Sequence, residues 1–182
     1  MKLVKGSMMK LVAKAIKVNK SGIYNNLLSD KAKELLSQRI LDPIWYPFEV
    51  YKECFNALSQ VDANNNPLLI VQWGRNRGEE LMTSIYKHSI IEANLKNATE
   101  NYKRFHRSVF NFSEIEIEII SDNEIVLTYK DFEPNFENFY HIAIGWAQRF
   151  FELCLGKKIT YKILQKSWNG ADATRFSLSW VS

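Results

Sequence analysis

The first half of the chain places its apolar residues at helical spacing. Between residues 7 and 18 apolar side chains recur every three or four positions, whereas Lys10, Lys14 and Lys17 fall on the opposite side. This period of 3.6 predicts an amphipathic helix, with Ser7 as its N-cap. Similar patterns predict further helices, which start near residues 29, 47, 67 and 90.

The helix that starts near residue 67 contains two glycines four residues apart, Gly74 and Gly78. Glycine costs about 1 kcal/mol in the interior of a helix, so the pair calls for an explanation. Either another backbone approaches the helix closely here or the helix breaks, and the pattern leaves both readings open. The helical pattern itself continues through Leu81, Ile85 and Tyr86.

The hydrophobic period changes from 3.6 to 2 after residue 110. Glu and Ile alternate strictly from Glu114 to Ile119, which predicts a strand with one face exposed to water. A polar turn at 121–123 follows, and residues 124–129 return as the hairpin partner. The second half of the chain therefore opens with an antiparallel pair.

A strongly apolar helix is predicted from Phe136 to Cys154, and Gly156 follows it as a C-terminal stop. Residues 158–164 and 174–180 then predict a second hairpin, joined around an Asn-Gly turn. Three residues of the last strand are expected to face the core: Phe176, Leu178 and Trp180.

These elements predict an α+β fold, in which a helical N-terminal half packs on a four-stranded antiparallel sheet built ββαββ. The chain has 182 residues, the usual size of one domain, and no stretch has the composition of a flexible linker. We therefore expect a single domain over residues 1–182, with a helical part at 1–108 and a ββαββ part at 109–182.

Charge is distributed unevenly along the chain. The net charge is +4, and residues 1–20 contain six lysines and no acid. Basic chains can bind nucleic acid, but no recognition motif accompanies the lysines, and a solvated surface without nucleic acid is the simpler reading. No apolar run approaches the roughly 18 residues of a membrane span, and lysines interrupt any signal-peptide core. A cytoplasmic protein with reduced thiols at Cys54 and Cys154 is expected.

The sequence contains little local chemistry. His88, His106 and His141 are far apart, and none has a second ligand at a metal-binding spacing. His106 lies in a basic stretch and is expected to be solvated or capping, whereas His141, on the most apolar helix, is expected to be a core residue. No phosphate loop or nucleophile elbow is present. No catalytic residue and no metal site are predicted, and a protein that is not an enzyme is favoured.

Aromatic residues make up 13% of the chain, and many lie near helix starts or on apolar helix faces. Helices packed on a curved sheet can enclose an apolar cavity, although a filled core is the simpler reading. The residues predicted to line such a ligand pocket are Trp45, Tyr46, Tyr51, Phe139, Tyr140, Trp146 and Phe150.

Several short motifs resemble a known superfamily. They are Val4-Lys5-Gly6-Ser7, Trp45-Tyr46-Pro47-Phe48, the Gly74–Gly78 helix, Leu155-Gly156-Lys157, Gly170 and Phe176-Ser177-Leu178-Ser179-Trp180. Together they resemble the superfamily that joins the heme–nitric-oxide-binding domain, the 4-vinyl reductase domain and the Bet3-like subunits of the transport protein particle (TRAPP). They are also similar to an uncharacterised bacterial family best known from myxobacterial paralogues. The resemblance implies a helical layer against an antiparallel sheet, and either a cavity for heme or acyl chains or a scaffold role.

Two departures from the superfamily bear on cofactors. Heme-binding relatives use a proximal histidine and a Tyr-x-Ser-x-Arg run, but the nearest piece here, Tyr102 to Arg107, lacks the serine. Heme is therefore not expected, with His88 and His106 as the conceivable axial ligands. The zinc cysteines of the 4-vinyl reductase relatives are replaced by Lys166 and Thr174, so zinc is not expected either. No cofactor is predicted.

The function expected from the sequence is a non-enzymatic module that senses or binds a small apolar or lipid-like ligand. Such a module would pass its bound state to a signalling partner or through a homodimer. The alternative is a scaffold or assembly subunit without ligand. It would act through protein–protein contacts at an exposed apolar patch, for which the first helix is the candidate.

Overall fold

The computed structural model describes residues 1–84 and 94–181, and the chain divides into two compact units. Unit 1 consists of Met1–Asn66 and Ser108–Phe112, and unit 2 consists of Pro67–Arg107 and Ser113–Ser182. The expectation of a single domain stays a prediction. The expectations for Ile85, Tyr86 and His88, and for a helix start near residue 90, lie outside the described residues.

Unit 1 is mainly helical. Its elements are β1 (Leu3–Lys5), α1 (Gly6–Val18), a short 3-10 helix (Ile23–Asn26), α2 (Asp30–Ser37), β2 (Trp45–Pro47) and α3 (Phe48–Ala63). The two short strands pair antiparallel, with Val4 opposite Tyr46. The aromatic stretch before α3 therefore contributes a strand. Ser29 caps α2, because its hydroxyl accepts a hydrogen bond from the Ala32 amide at 3.2 Å.

Helix α1 buries one apolar face within unit 1, although Ala15 and Val18 are exposed. The buried residues include Met9, Val12 and Ile16. An exposed apolar patch on this helix, suggested for the scaffold alternative, would consist of Ala15 and Val18 and stays a prediction. The N-cap prediction for Ser7 is wrong: the chain enters the helix directly from β1, Lys5 occupies the N-cap position, and its side chain forms no capping hydrogen bond.

Unit 2 contains the sheet. Its elements are α4 (Pro67–Ser84), α5 (Leu95–Val109, whose last two residues belong to unit 1), β3 (Glu114–Ser121), β4 (Glu124–Lys130), α6 (Glu137–Leu155), β5 (Ile159–Gln165), a 3-10 helix (Ser167–Asn169) and β6 (Thr174–Trp180). The four strands are antiparallel in the order β3-β4-β6-β5. The predicted α+β class and the ββαββ order of the second half are confirmed.

The inner face of the sheet is apolar and carries the core of unit 2. Ile115 is buried on β3, and Phe176, Leu178 and Trp180 are buried on β6, as predicted. The Glu residues of β3 point to the other face, where Glu116 pairs with Lys130. The second hairpin differs from the prediction. Its strands are joined through the 3-10 helix rather than by a two-residue Asn-Gly turn.

Two helices of unit 2, α4 and α6, touch backbone to backbone. A Cβ atom on Gly74 would lie 2.0 Å from the Ile142 carbonyl oxygen, and one on Gly145 would lie 2.0 Å from the Val71 oxygen. Helix α4 runs without a break through both of its glycines. The close-approach reading of the glycine pair is therefore correct, and the helix-break reading is wrong.

No helix within residues 1–84 and 94–181 is both long and apolar enough to cross a membrane.

Candidate ligand site

Four of the predicted pocket residues lie on α6 in unit 2, and all four are buried. Trp146 stacks on Phe105, with 4.3 Å between ring centroids, and Phe139 stacks on Phe132 at 4.4 Å. Tyr140 stacks on Trp168 at 5.3 Å, and the Phe150 ring lies 5.3 Å from that of Trp146. These ring contacts, here called the aromatic cluster, pack α6 against the protein's own side chains.

Trp146 carries an unmatched polar group within this cluster. Its indole Nε1 is buried and has no hydrogen-bond partner within the part of the chain that the structure describes. A buried donor without an acceptor is uncommon in native proteins, and a bound molecule or water often completes it. A ligand with an acceptor atom would satisfy this group.

The other three predicted pocket residues lie in unit 1. Tyr51 is buried on α3, and its ring lies 6.1 Å from those of Phe48 and Phe55. The Tyr46 hydroxyl accepts a hydrogen bond from the Leu41 amide at 2.9 Å. Trp45 is 36% exposed and lies at the surface. Because the seven residues divide between the two units, their assembly into one pocket stays a prediction.

His106 is the least exposed histidine of the described chain, contrary to the expectation of a solvated residue. Only 4% of its surface is exposed, and its Nε2 lies 2.7 Å from the Ser113 hydroxyl. Burial, with a smaller contribution from the neighbouring Arg107, lowers the pKa of the imidazole to about 3. The ring is therefore neutral at physiological pH. One signal was available in the sequence: Ala98, Tyr102 and His106 are spaced at i, i+4 and i+8, on one helix face.

A hydroxyl pair lies beside this histidine. The Tyr102 and Tyr129 oxygens are 3.0 Å apart and buried, and burial raises the pKa of both phenols. The Tyr129 ring also contacts His106 edge to face, with 5.8 Å between centroids. Two hydrogen-bonded pairs, Tyr102–Tyr129 and His106–Ser113, thus lie inside the apolar interior of unit 2 and meet through a ring contact. Buried polar groups of this kind are stable because each has a hydrogen-bond partner.

His141 lies on the core side of α6, as predicted, and only 7% of its surface is exposed. Its Nε2 is 3.3 Å from the Glu137 carboxylate, one turn earlier on the helix. Burial lowers the pKa of His141, and the carboxylate partly opposes this shift. Within the described residues, no three His, Cys, Asp or Glu side chains come together as a metal-ligand set.

A polar cleft of about 470 Å³ opens between α4 and α6, lined by Gln72, Arg75, Asn76, Glu79 and Arg149. Glu152 forms ion pairs with both arginines of this cleft. Arg75 Nη2 and Arg149 Nη1 lie 2.9 and 3.1 Å from its Oε2. Burial alone would raise the pKa of Glu152, but the two arginines outweigh it and hold the pKa below its ordinary value. The charges are matched within the cleft, which favours a structural role.

Glu152→Gln should lower the free energy of unfolding by about 1–2 kcal/mol at pH 7, because it removes the charge that two arginines share. The matched control is Glu80→Gln, which removes the ion pair between Glu80 and Arg77, one turn apart on α4. The Glu80 side chain is 68% exposed against 9% for Glu152, so its loss should cost less than about 0.5 kcal/mol. Urea unfolding of both variants measures the difference. Equal effects would contradict the structural role.

Comparison with solved structures places the fold. An H-NOX protein from S. oneidensis in the Fe(II)NO ligation state matches with a TM-score of 0.65 at 13% identity, over 98% of this chain and 99% of that chain. An oxygen-binding H-NOX domain related to soluble guanylate cyclases matches with a TM-score of 0.64 at 10% identity, over 98% and 95%. A further H-NOX structure, from work on heme distortion, gives a TM-score of 0.66 at 10% identity. The chain therefore has the H-NOX fold.

Comparison by sequence adds no closer relative. No family model matches the chain, and no curated protein matches it. The resemblance to the heme–nitric-oxide-binding superfamily is thus supported at the level of the fold. The narrower similarity to the uncharacterised bacterial family finds no support among these matches.

The expectation that heme does not bind is contradicted by these neighbours. Solved structures that share the fold include an H-NOX protein in the Fe(II)NO ligation state, an oxygen-binding H-NOX domain and an H-NOX structure from work on heme distortion. The expectation rested on a missing Tyr-x-Ser-x-Arg run, whereas the neighbours share the fold with this chain at 10–13% identity. The missing run was too weak an argument against the cofactor, because chains that share a fold can differ in their short motifs.

The described residues offer part of what heme requires. His106 supplies a buried imidazole that is neutral at physiological pH, the form that binds iron. Its Nε2 is engaged with the Ser113 hydroxyl, so coordination through that nitrogen requires the hydroxyl to move away. The unmatched Trp146 Nε1 donor is a second group that a cofactor with acceptor atoms would complete.

Proposed function

We propose that this chain is a sensing module that binds a small, largely apolar ligand, and that heme is the first candidate for that ligand. The single observation that carries the proposal is the H-NOX fold, which extends over 98% of the chain. Fold alone does not specify function, so the ligand is argued from the residues of unit 2.

The neutral imidazole of His106 supports heme as the candidate. A histidine on a helix and buried among rings can bind iron without first losing a proton. When bound, heme would supply the iron at which a diatomic gas is sensed. The residues of this chain would hold the cofactor, exclude water through the aromatic cluster, and offer the Trp146 donor to an acceptor atom.

A hemin titration of the purified full chain, followed by absorbance in the Soret region, tests this proposal. We expect saturation at one hemin per chain and a Soret maximum that shifts on reduction. His106→Gln should weaken binding at least about tenfold, because it removes the iron ligand. Ser113→Ala should bind hemin as tightly as the parent chain or more tightly, because no hydroxyl then competes for Nε2.

The results of these experiments distinguish heme binding through His106 from binding of a lipid-like ligand and from the absence of any ligand. Hemin binding that His106→Gln leaves unchanged would overturn the role of His106. If hemin does not bind, native and denaturing mass spectrometry test the lipid-like ligand: a molecule released on unfolding would support sensing of an apolar compound. No hemin binding and no released molecule would overturn the sensing function.

The ring packing in unit 2 favours a second candidate, a scaffold that binds no ligand. Phe105, Tyr102 and Phe150 all contact the ring of Trp146, so the protein's own side chains occupy its surroundings. A scaffold of this kind would act through contacts with other proteins at its surface. It would leave hemin unbound and its own thermal stability unchanged by added hemin.

A further inference from the structure

Unit 1 exposes a compact set of apolar side chains at 41–45. Leu41 is 43% exposed, Ile44 47% and Trp45 36%. The backbone that carries them is held in place. The Gly6 amide donates to the Ile44 carbonyl at 2.7 Å, and Trp45 lies opposite Lys5 in the β1–β2 pair. These three side chains, here the 41–45 surface, are thus exposed on a fixed scaffold.

Lysines of α1 and β1 lie beside this surface. The Lys5 ammonium lies 4.4 Å from the centre of the Trp45 ring. Lys10 pairs with Asp42 at 3.2 Å, which neutralises the one acid within the segment. Lys17 reaches the Gln38 carbonyl at 3.3 Å, and Lys14 is exposed one turn before it.

The charge of the whole chain is concentrated in the same unit. Unit 1 contains ten Lys or Arg and six Asp or Glu, whereas the rest of the chain has equal numbers of both signs. Unit 1 therefore accounts for the entire net charge of +4. Helix α1 buries an apolar face and presents its lysines to solvent. The 41–45 surface presents the aliphatic and indole groups.

We infer that the 41–45 surface and its lysines dock on an anionic lipid surface. Tryptophan favours the boundary between lipid headgroups and acyl chains, and short aliphatic groups beside it gain by entering the same layer. Lysines around them meet lipid phosphate and carboxylate groups. An acidic protein would satisfy the lysines alone, whereas a lipid surface satisfies both the lysines and the apolar centre. This inference is independent of the proposed function, because no residue of unit 2 takes part.

Co-sedimentation of the full chain with vesicles tests the inference. We expect binding to phosphatidylcholine vesicles that contain about one third phosphatidylserine, and weak binding to pure phosphatidylcholine. Lys14→Gln should weaken binding about fivefold, the contribution of one lysine near an anionic surface. Ile44→Ser combined with Trp45→Ser should weaken it about tenfold or more, and Trp45 fluorescence should shift to the blue on binding in the parent chain.

Matched controls come from unit 2. Lys162→Gln and Leu164→Ser change an exposed lysine and an aliphatic residue that is 48% exposed, both on strand β5, and should leave binding unchanged. Equal binding to neutral and anionic vesicles would overturn the inference, as would equal losses in the control variants. Binding to soluble polyglutamate but not to vesicles would also overturn it, in favour of an acidic protein partner.

Discussion

Gly74→Ala should lower the free energy of unfolding by about 2 kcal/mol, the difference between a large overpacking cost and the helix propensity that alanine gains. The added Cβ would lie 2.0 Å from the Ile142 carbonyl oxygen and 2.8 Å from the Trp146 amide nitrogen. Both are backbone atoms of α6, so relief requires α4 and α6 to move apart and lose packing along their length. Overpacking of this kind costs about 1–3 kcal/mol and sometimes more, which exceeds the roughly 1 kcal/mol that alanine gains in a helix.

Gly78→Ala on the same helix is the matched control. Its Cβ would lie 3.2 Å from the nearest atoms of Trp146 and Arg149, a contact that small shifts can accommodate. We expect a change of less than about 1 kcal/mol in either direction. Gly145→Ala, whose Cβ would lie 2.0 Å from the Val71 oxygen, should repeat the large loss. Urea unfolding measures all three, and equal effects at Gly74 and Gly78 would contradict the close helix contact.

The regular parts of the fold could be predicted because they rest on local patterns. The Glu–Ile alternation of β3 has the period of a strand with one buried face, and Ile115 is buried as that period requires. Helix α6 carries an apolar face and ends at Gly156, which adopts the left-handed conformation at φ +63°. Both signals lie within about twenty residues of sequence, so no tertiary information is needed to read them.

The features that were missed depend on contacts between distant segments. Strands β1 and β2 are three residues each and pair across some forty positions, so neither has a pattern long enough to predict alone. Gly145 looks like an ordinary helix glycine until Val71 is placed against it. His106 was assigned to the surface because charged residues surround it in sequence, although its i, i+4 relation to Tyr102 places it on the buried face.

The candidate ligand site could be predicted from the sequence even less completely than the fold. The sequence predicted buried rings at Phe139, Tyr140, Trp146 and Phe150, and each is buried because it lies on the apolar face of one helix. Whether such rings enclose a ligand or fill a core depends on distances of one or two ångströms, which composition does not determine. The unmatched Trp146 donor, by contrast, is visible only in three dimensions.

Lowering the pH from about 6.5 should destabilise the heme-free chain through His106. Burial lowers the pKa of this imidazole to about 3 in the folded state, whereas the unfolded chain binds a proton near the ordinary value of 6.5. Between these two values the unfolded state holds one more proton, so stability falls as the pH falls. The slope from one such group is at most about 1.4 kcal/mol per pH unit, or about 2 kcal/mol between pH 6.5 and 5.

Urea unfolding of the parent chain and of His106→Gln at several pH values between 6.5 and 5 isolates this contribution as a difference, because His141, whose pKa burial also lowers, is present in both. His106→Gln retains a group that can bond Ser113 but cannot titrate. The stability of this variant should therefore vary with pH less steeply than that of the parent chain, by at most about 1.4 kcal/mol per pH unit. Ser113→Ala is the control. It removes the hydrogen bond at 2.7 Å but keeps the imidazole, so it should be less stable at every pH with the parent slope preserved. Parallel curves of stability against pH for His106→Gln and the parent chain would show that His106 is solvated. Only a buried, neutral imidazole has a lower proton affinity in the folded chain than in the unfolded chain.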